Sequence, residues 1–475
     1  MSAPLPLPSG EQSEGAAGAS ITGSARRVGV RGAGRSPDSK RWVALAFIAI
    51  AQLMIALDAT IVSIALPSAQ AALGASDANR QWVVTAYTLA FGGLLLLGGR
   101  IADYFGRKRA FLLGLAGFGL ASMIGGAAPD FAVLIAARAL QGAFAALLAP
   151  TALSLLAVSF TEARERATAF AVYGSIAGSG AAIGFLLGGA LTQYLTWRWC
   201  LYVNIPIALV AAAGAAAVLP SSSRHAEPKF DMLGVVLATA GMVSLVYALS
   251  NAIGLLAVSA VLLILFVVRE ARTANPLLPL RIVLDRNRGG AYATVALVIA
   301  GMFGAFLFLT YYFQVVLHYT PVQAGLAFLP LVVAQQAGSW LIASRLMPLV
   351  PPRVLMAPGA IAAAVGMLLL TQVPLLAEVL LALGVSCVMV PAFSTATQKV
   401  DPREAGVASA TVNAASQIGG SVGAALLNSI AISAGGAIVH GFAVATGWGA
   451  GILVLAAAIS ALLITTGRPE QRKGA

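Results

Sequence analysis

Residues 42–67 read WVALAFIAIAQLMIALDATIVSIALP, an apolar run of membrane-crossing length with one carboxylate, Asp58, near its middle. A helix needs roughly 20 apolar residues to cross a bilayer. An ionised carboxylate at that depth costs a few kcal/mol or more, so it needs a partner, a water-filled cavity or a proton. Asp58 is the only acidic residue that this reading places unambiguously inside a span. It is therefore the first candidate for a group that binds and releases a proton.

The rest of the chain extends the pattern. It has 475 residues, 59% hydrophobic and 10% charged, with a mean hydropathy of +0.89. A soluble domain carries about 25% charged residues, so this is not a soluble protein with an anchor. Apolar runs predict fourteen spans: 42–66, 82–99, 110–128, 131–157, 167–191, 200–219, 231–250, 252–269, 291–314, 323–344, 354–373, 375–396, 405–434 and 443–466. Only a short polar break at Ser250-Asn251 divides the seventh from the eighth. A transmembrane barrel would alternate polar and apolar residues over segments of about ten. These runs are continuous, which predicts an all-α integral membrane fold.

Lys and Arg set the orientation. With the N-terminus inside, 26 of the 29 basic residues fall in cytoplasmic segments; Arg80 and Arg198 fall outside, and Arg138 lies within a span. Both termini are thus expected in the cytoplasm, in a multi-pass protein of the cell (inner) membrane. The net charge of +12 is spread over short loops as a topology signal, which argues against a nucleic-acid partner. Residues 1–40, rich in Gly, Ser, Ala, Pro and Arg, read as a disordered tail, with no signal-peptide apolar region ahead of the first span. Cys200 and Cys387 sit alone on different spans, and His225, His318 and His440 are expected in loops. That leaves no metal or redox spacing. No P-loop pattern is present, so no metal, nucleotide or other cofactor is expected.

Between the second and third spans the chain reads Gly99-Arg100-Ile101-Ala102-Asp103-Tyr104-Phe105-Gly106-Arg107-Lys108-Arg109. Positive-inside chemistry explains its bases but not its Gly, Asp, Gly punctuation. Gly99 and Gly106 allow close helix approach and a tight turn. Asp103 is placed to pair with an arginine such as Arg107 or to cap a helix. Such contacts, made in one conformation and broken in another, suit a latch.

This segment resembles the signature loop of the major facilitator superfamily, and further matches follow along the chain. Leu57–Pro67 resembles the first-helix motif of its fourteen-helix drug:proton antiporter branch. Arg138-Ala139-Leu140-Gln141-Gly142 resembles the fourth-helix motif, and Gly184-Phe185-Leu186-Leu187-Gly188-Gly189 the fifth-helix antiporter motif. Trp197-Arg198-Trp199 with Asn204-Ile205-Pro206 resembles the start of helix six. Thr320–Gly325 and Ala405–Ser409 match that branch in the second half. The resemblance implies a major facilitator fold of 6+2+6 helices. Its expected parts are a tail at 1–40, a six-helix bundle at 41–220, a linker with two inserted helices at 221–288, a second bundle at 289–467 and a tail at 468–475. It also implies substrate binding between the bundles, alternating access by rocking, and a monomer. The usual motif proline after the glycine matching Gly184 is replaced by Phe185.

Asp58 and Arg138 are the expected proton-coupling pair; the role of Arg138 in proton transfer comes from the resemblance. Arg138 lies about two turns deep, far for snorkelling, with Gln141 three residues on along the same face. Gly180, Gly184 and Gly188 recur every fourth residue and, with Gly189, predict close helix packing and a smooth interface about which the halves move. Tyr311, Gln336, Asn413 and Gln417, together with Gln141, are the candidate substrate contacts. Glu378, near the outer end of its span, is expected to face water.

These readings converge on proton-coupled export of hydrophobic small molecules such as drugs or antibiotics, with protons, a small lipophile and the lipid bilayer as partners. An importer or a narrow-range metabolite exporter on the same fold stays open. A membrane enzyme would need a catalytic constellation that these short loops do not offer, and a channel would not accumulate its substrate. Substrate identity and proton stoichiometry are not written in the sequence.

Overall fold

A computed structural model describes residues 38–77, 79–160, 162–219, 231–250, 252–273, 276–398, 405–435 and 438–467. Fourteen helices within them are long and apolar enough to cross a membrane, from Lys40–Leu73 to Val439–Leu463. Each falls within a few residues of a predicted span. The break near Ser250 is real: Met232–Leu249 and Ile253–Arg272 are separate helices. Among the described residues all regular structure is helical. The tails at 1–37 and 468–475 and the linker at 220–230 lie outside the described residues.

The first set of helices is α1 (Asp38–Leu73), α2 (Trp82–Phe105), α3 (Arg107–Gly126), α4 (Phe131–Ser159), α5 (Ala163–Tyr194), the short α6 (Trp199–Tyr202) and α7 (Asn204–Val218). α1 packs on α5 and α7, α2 on α4, and α3 on α4 and α7. Next come α8 (Met232–Ser250) and α9 (Leu256–Arg272), packed on each other, and the short α10 (Leu280–Val283). The last set is α11 (Arg286–Tyr311), α12 (Pro321–Ala327), α13 (Leu329–Leu341), α14 (Pro352–Leu369), α15 (Pro374–Thr397), α16 (Ala405–Ser433) and α17 (Ile438–Leu463). Here α11 packs on α16 and α17, α13 on α15, and α14 on α15 and α17. Between the sets, α2 lies against α16, and α5 against α12 and α13.

In lipid, apolar burial cannot hold helices together, so close packing through small residues takes over. A Cβ on Gly184 would sit 1.9 Å from Thr60 Oγ1 and 2.9 Å from the Leu57 carbonyl of α1. The last set uses the same device, with Gly419 and Gly423 of α16 against the Ala296 and Ala300 carbonyls of α11.

Three local features were not anticipated. The loop predicted between spans two and three is nearly all helix: α2 runs through Phe105, α3 starts at Arg107, and Gly106 alone turns the chain, at φ 88°. The tenth span is broken at Phe328, two residues ahead of Pro330, whose ring has no N–H and crowds the carbonyl four residues earlier. The ninth ends in one π-helical turn, Tyr312–Val316.

Candidate functional site

Asp58 lies inside the first set of helices, wholly shut off from solvent. Three side chains from two other helices reach its carboxylate. Arg138 of α4 donates from Nη1 to Oδ2 at 2.6 Å. Gln141, one turn further along α4, donates from Nε2 to Oδ1 at 3.0 Å, and Asn204, the first residue of α7, donates to the same oxygen at 2.8 Å. Gln141 is itself held by the Ser122 hydroxyl of α3 at 2.7 Å.

Arg138 is 1% exposed and has three contacts besides the carboxylate. Nη1 also donates to Gln141 Oε1 at 2.9 Å. Nε donates to the Val83 carbonyl of α2 at 3.0 Å. The guanidinium lies 4.4 Å from the centre of the Tyr87 ring, a favourable cation–π distance. A buried ion pair offsets its desolvation only when its other lone pairs and protons are satisfied. Here most are. Two buried polar atoms beside it have no hydrogen-bond partner, Asn204 Oδ1 and Tyr87 Oη.

Besides the ionic contact, Arg138 keeps Gln141, the Val83 carbonyl and the Tyr87 ring, but no second counter-ion is among the partners that hold it. Asn204, which donates to Asp58, also carries an unused acceptor, Oδ1.

A second cluster closes the end of the bundle where α1 finishes and α2 begins. Arg80, 4% exposed, pairs with Asp77 at 3.2 Å and donates to Asn428 Oδ1 of α16 at 3.3 Å. Its guanidinium lies 4.1 Å from the ring centre of Tyr311 of α11. The Tyr311 hydroxyl donates to Gln70 of α1, and Gln70 donates to Asp77 at 2.8 Å. Deeper in, the hydroxyls of Thr88 on α2 and Ser421 on α16 are 2.6 Å apart. Between the two sets lies a cavity of about 20 Å³ lined by Ser63, Val84, Phe306, Leu307 and Thr310 among others, room for a single water.

Several expectations change. Gln141, read as a substrate contact, belongs to the Asp58 network. Tyr311, read likewise, is 4% exposed and locked into the Arg80 cluster. The amide of Gln336 lies against the Gly178 backbone of α5, as close as 2.2 Å to where a Cβ would sit. Asn413 donates back to the Ser409 carbonyl of its own helix at 3.0 Å, and the Cβ of Gln417 abuts Gly92. Gly180, Gly184 and Gly188 face Ala56, Thr60 and Ile61 of α1, so that stripe binds α5 within its own set. Gly189 does meet the last set, at the Pro321 carbonyl and Val322.

Gly99 lies inside α2, where a Cβ would sit 3.7 Å from the Pro150 side chain. Gly106 is the turn itself, and Arg107 opens α3. Asp103 is in the last turn of α2 rather than capping α3; its side chain lies outside those described. Glu378 does not face water: it is 1% exposed. Asp231 and Glu270 are also buried, at 5% and 3%, so Asp58 is not alone among enclosed carboxylates. His440 falls in the first turn of α17 rather than in a loop.

Sequence reasoning missed Asn204, Ser122 and Tyr87. Asn204 carried a usable signal, a lone amide at the head of an apolar stretch that ends at Val218. Ser122 and Tyr87 carried none that separates them from other small or aromatic residues.

Fourteen crossing helices around a buried, partnered Asp–Arg pair define a polytopic helical membrane protein with an internal charge site. The chain matches the Major Facilitator Superfamily over residues 48–424, and it belongs to that family of transporters. It is 48% identical to the puromycin resistance protein of Streptomyces alboniger, over 90% of this chain and 92% of the relative. It is 40% identical to a cephamycin export protein of Amycolatopsis lactamdurans, over 84% and 87%. A multidrug efflux pump of Mycolicibacterium smegmatis is 33% identical, over 83% and 82%. Among solved structures, a POT family transporter superposes with a TM-score of 0.69 at 15% identity, covering 90% of this chain and 97% of the other. A bacterial homologue of the human lysosomal transporter Spinster, in an inward-facing and unoccupied conformation, gives 0.66 at 16%, covering 90% and 98%. At those identities the likeness is one of fold.

Proposed function

We propose that this protein is a proton-coupled antiporter that exports hydrophobic small molecules, antibiotics or drugs, by alternating access. The observation that carries the reading is the Asp58 site: a wholly buried carboxylate held by Arg138, Gln141 and Asn204 beside the unused Oδ1 of Asn204. The export and resistance functions of the relatives support the direction and the substrate class.

The helices pair as two six-helix halves with α8 and α9 inserted between them. Contact pairs repeat: α1 with α5 and α7 answers α11 with α16 and α17, and α2 with α4 answers α13 with α15. The crossings α2–α16 and α5–α12/α13 then exchange under one pseudo-twofold, as in repeat-built transporters. The basic loops favour both termini in the cytoplasm; on that orientation the Arg80 cluster is an outer gate and the state described is closed to the outside. The family supports a transporter over an enzyme; a monomer in the cell membrane remains the expectation.

Among the described residues, the hydrogen-bond partners of Asp58 lie on α4 and α7, and the residues that support them stay within the first half. Its proton therefore acts on substrate indirectly. Protonation frees Arg138 from α1 and loosens α1 from α4, and α1 carries both Gln70 of the gate and the Thr60 face packed on α5. One charge crossing the membrane is worth about 2.3 kcal/mol per 100 mV, enough to bias such a change.

Expression in a susceptible host lacking its own pumps tests the reading. Lower accumulation of puromycin, a cephamycin or a lipophilic dye, restored by a protonophore, is the expected result. Uptake that rises with expression would instead identify an importer.

A further inference from the structure

Among the described residues of the last set of helices, Glu378 is the one buried carboxylate, and the proton route through Asp58 leaves it unused. It lies two turns from the start of α15 at most, its helix beginning at Pro374. It is 1% exposed, and its Oε2 has no hydrogen-bond partner. The neighbouring helix α13 begins just past the break at Phe328. There the backbone N–H of Leu331 approaches the Glu378 carboxyl, next to the rung that Pro330 removes from the helix ladder. Both helices contribute to the apolar core, α13 with Leu331 and Val332 and α15 with Ala377, Leu381 and Ala382.

Among the described residues no cation is placed against it. α13 carries no ionisable residue, and Arg345 lies beyond its far end. Arg353 of α14 is in that helix's first turn, whereas its Gly366 faces Ala377 and Leu381 beside Glu378, about 20 Å along the axis. In α11, Arg286, Arg288 and Tyr292 sit at the opposite end, and Tyr311 is held by Gln70 and Arg80. The helical part of α16 has none. Asp58 has three donors and a guanidinium; Glu378 has one backbone amide. A buried carboxyl so placed keeps company with a proton or loses its burial.

We infer that Glu378 is a second proton-binding site, in the second half of the transporter, opened and closed by the bend between α12 and α13. The bend is one place where the halves meet: Phe328 stacks on Phe185 of α5 at 4.5 Å between ring centres, and the Phe185 carbonyl lies 2.4 Å from where a Cβ on Gly325 of α12 would sit. Parting of the halves moves this segment, withdraws Leu331 and lets water in from the loop at Gln372, about two turns away. The proton then leaves to solvent and the carboxylate is hydrated; closure requires its return. The carboxyl binds and releases one proton and changes no other bond.

This inference rests on the proton-driven reading, and two measurements separate them. Infrared difference spectra of the reconstituted protein at neutral pH, wild type minus Glu378→Gln, are expected to show a protonated carboxylic acid C=O band that Asp58→Asn leaves in place. Proton counts per substrate in vesicles are expected to fall by one in Glu378→Gln. Ionised-carboxylate bands in that difference spectrum, or an unchanged proton count, would overturn the inference. Should Glu378→Gln fold poorly, Glu378→Asp keeps the group: a shifted acid band supports the site, and a band that does not move refutes it. Failure of coupling in wild type itself would instead sink the antiport reading, and the infrared result would stand apart from it.

Discussion

Asn204 and Gln141 donate to the same oxygen of Asp58, at 2.8 and 3.0 Å, while Arg138 takes the other at 2.6 Å. Removing one partner of such an ion pair leaves an uncompensated buried charge and costs about 3–5 kcal/mol. Arg138→Ala is expected to lower stability by that order, read as thermal unfolding in detergent. Asp58→Ala with Arg138→Ala together should cost less than the two single changes summed. Additive losses would mean that the pair is not coupled.

The unused Oδ1 of Asn204 predicts a role in the protonated state. Asn204→Leu keeps the bulk but neither donates to the carboxylate nor accepts from the acid. Transport is expected to fall at least tenfold while substrate binding persists. Asn204→Asp adds a second buried acid and should be the more damaging. Normal turnover in Asn204→Leu would remove the residue from the proton site.

Two glycines of α5 make a matched test of packing. A Cβ on Gly184 would sit 1.9 Å from Thr60 Oγ1, whereas one on Gly174 meets nothing within 4 Å. Gly184→Ala is expected to destabilise by about 1–3 kcal/mol, as overpacking does, and to impair transport, since Thr60 lies one half-turn from Asp58. Gly174→Ala should be neutral or stabilise by about 0.5–1 kcal/mol. Assays of detergent stability and dye efflux read both.

The contact between Tyr311 and Gln70 places the gate where a cross-link can trap it. In a background of Cys200→Ser and Cys387→Ala, the pair Gln70→Cys and Tyr311→Cys is expected to oxidise, abolish transport, and recover it on reduction. Cross-linked protein that still turns over would show that this end need not open.

Much of this fold is legible in the sequence because lipid forces backbone groups to pair within each helix, so apolar length alone marks a span. Even the two-residue break near Ser250 suffices. The charge site is half legible: Asp58 and Arg138 stand out because charge is rare there, but what surrounds them is set by helix rotation. Rotation decides that Gln141 points at Asp58 rather than at substrate, that Gly184 faces α1, and that Glu378 turns inward beside α13 although it lies near a helix end. The aromatics misled for the same reason. Phe185, where the motif has proline, becomes an anchor stacked on Phe328, and Tyr311 becomes a gate.

Proton flux in everted vesicles, wild type beside Asp58→Asn, tests the central claim most directly. Added across a panel of lipophilic antibiotics and dyes, at least one compound is expected to dissipate the proton gradient with the wild-type protein and not with Asp58→Asn. The amide keeps the size of the side chain but leaves Arg138 without its counter-ion, so thermal unfolding in detergent is measured beside the flux to confirm that the variant is folded. If Asp58→Asn exchanges protons for that compound at the wild-type rate, Asp58 is not the coupling group.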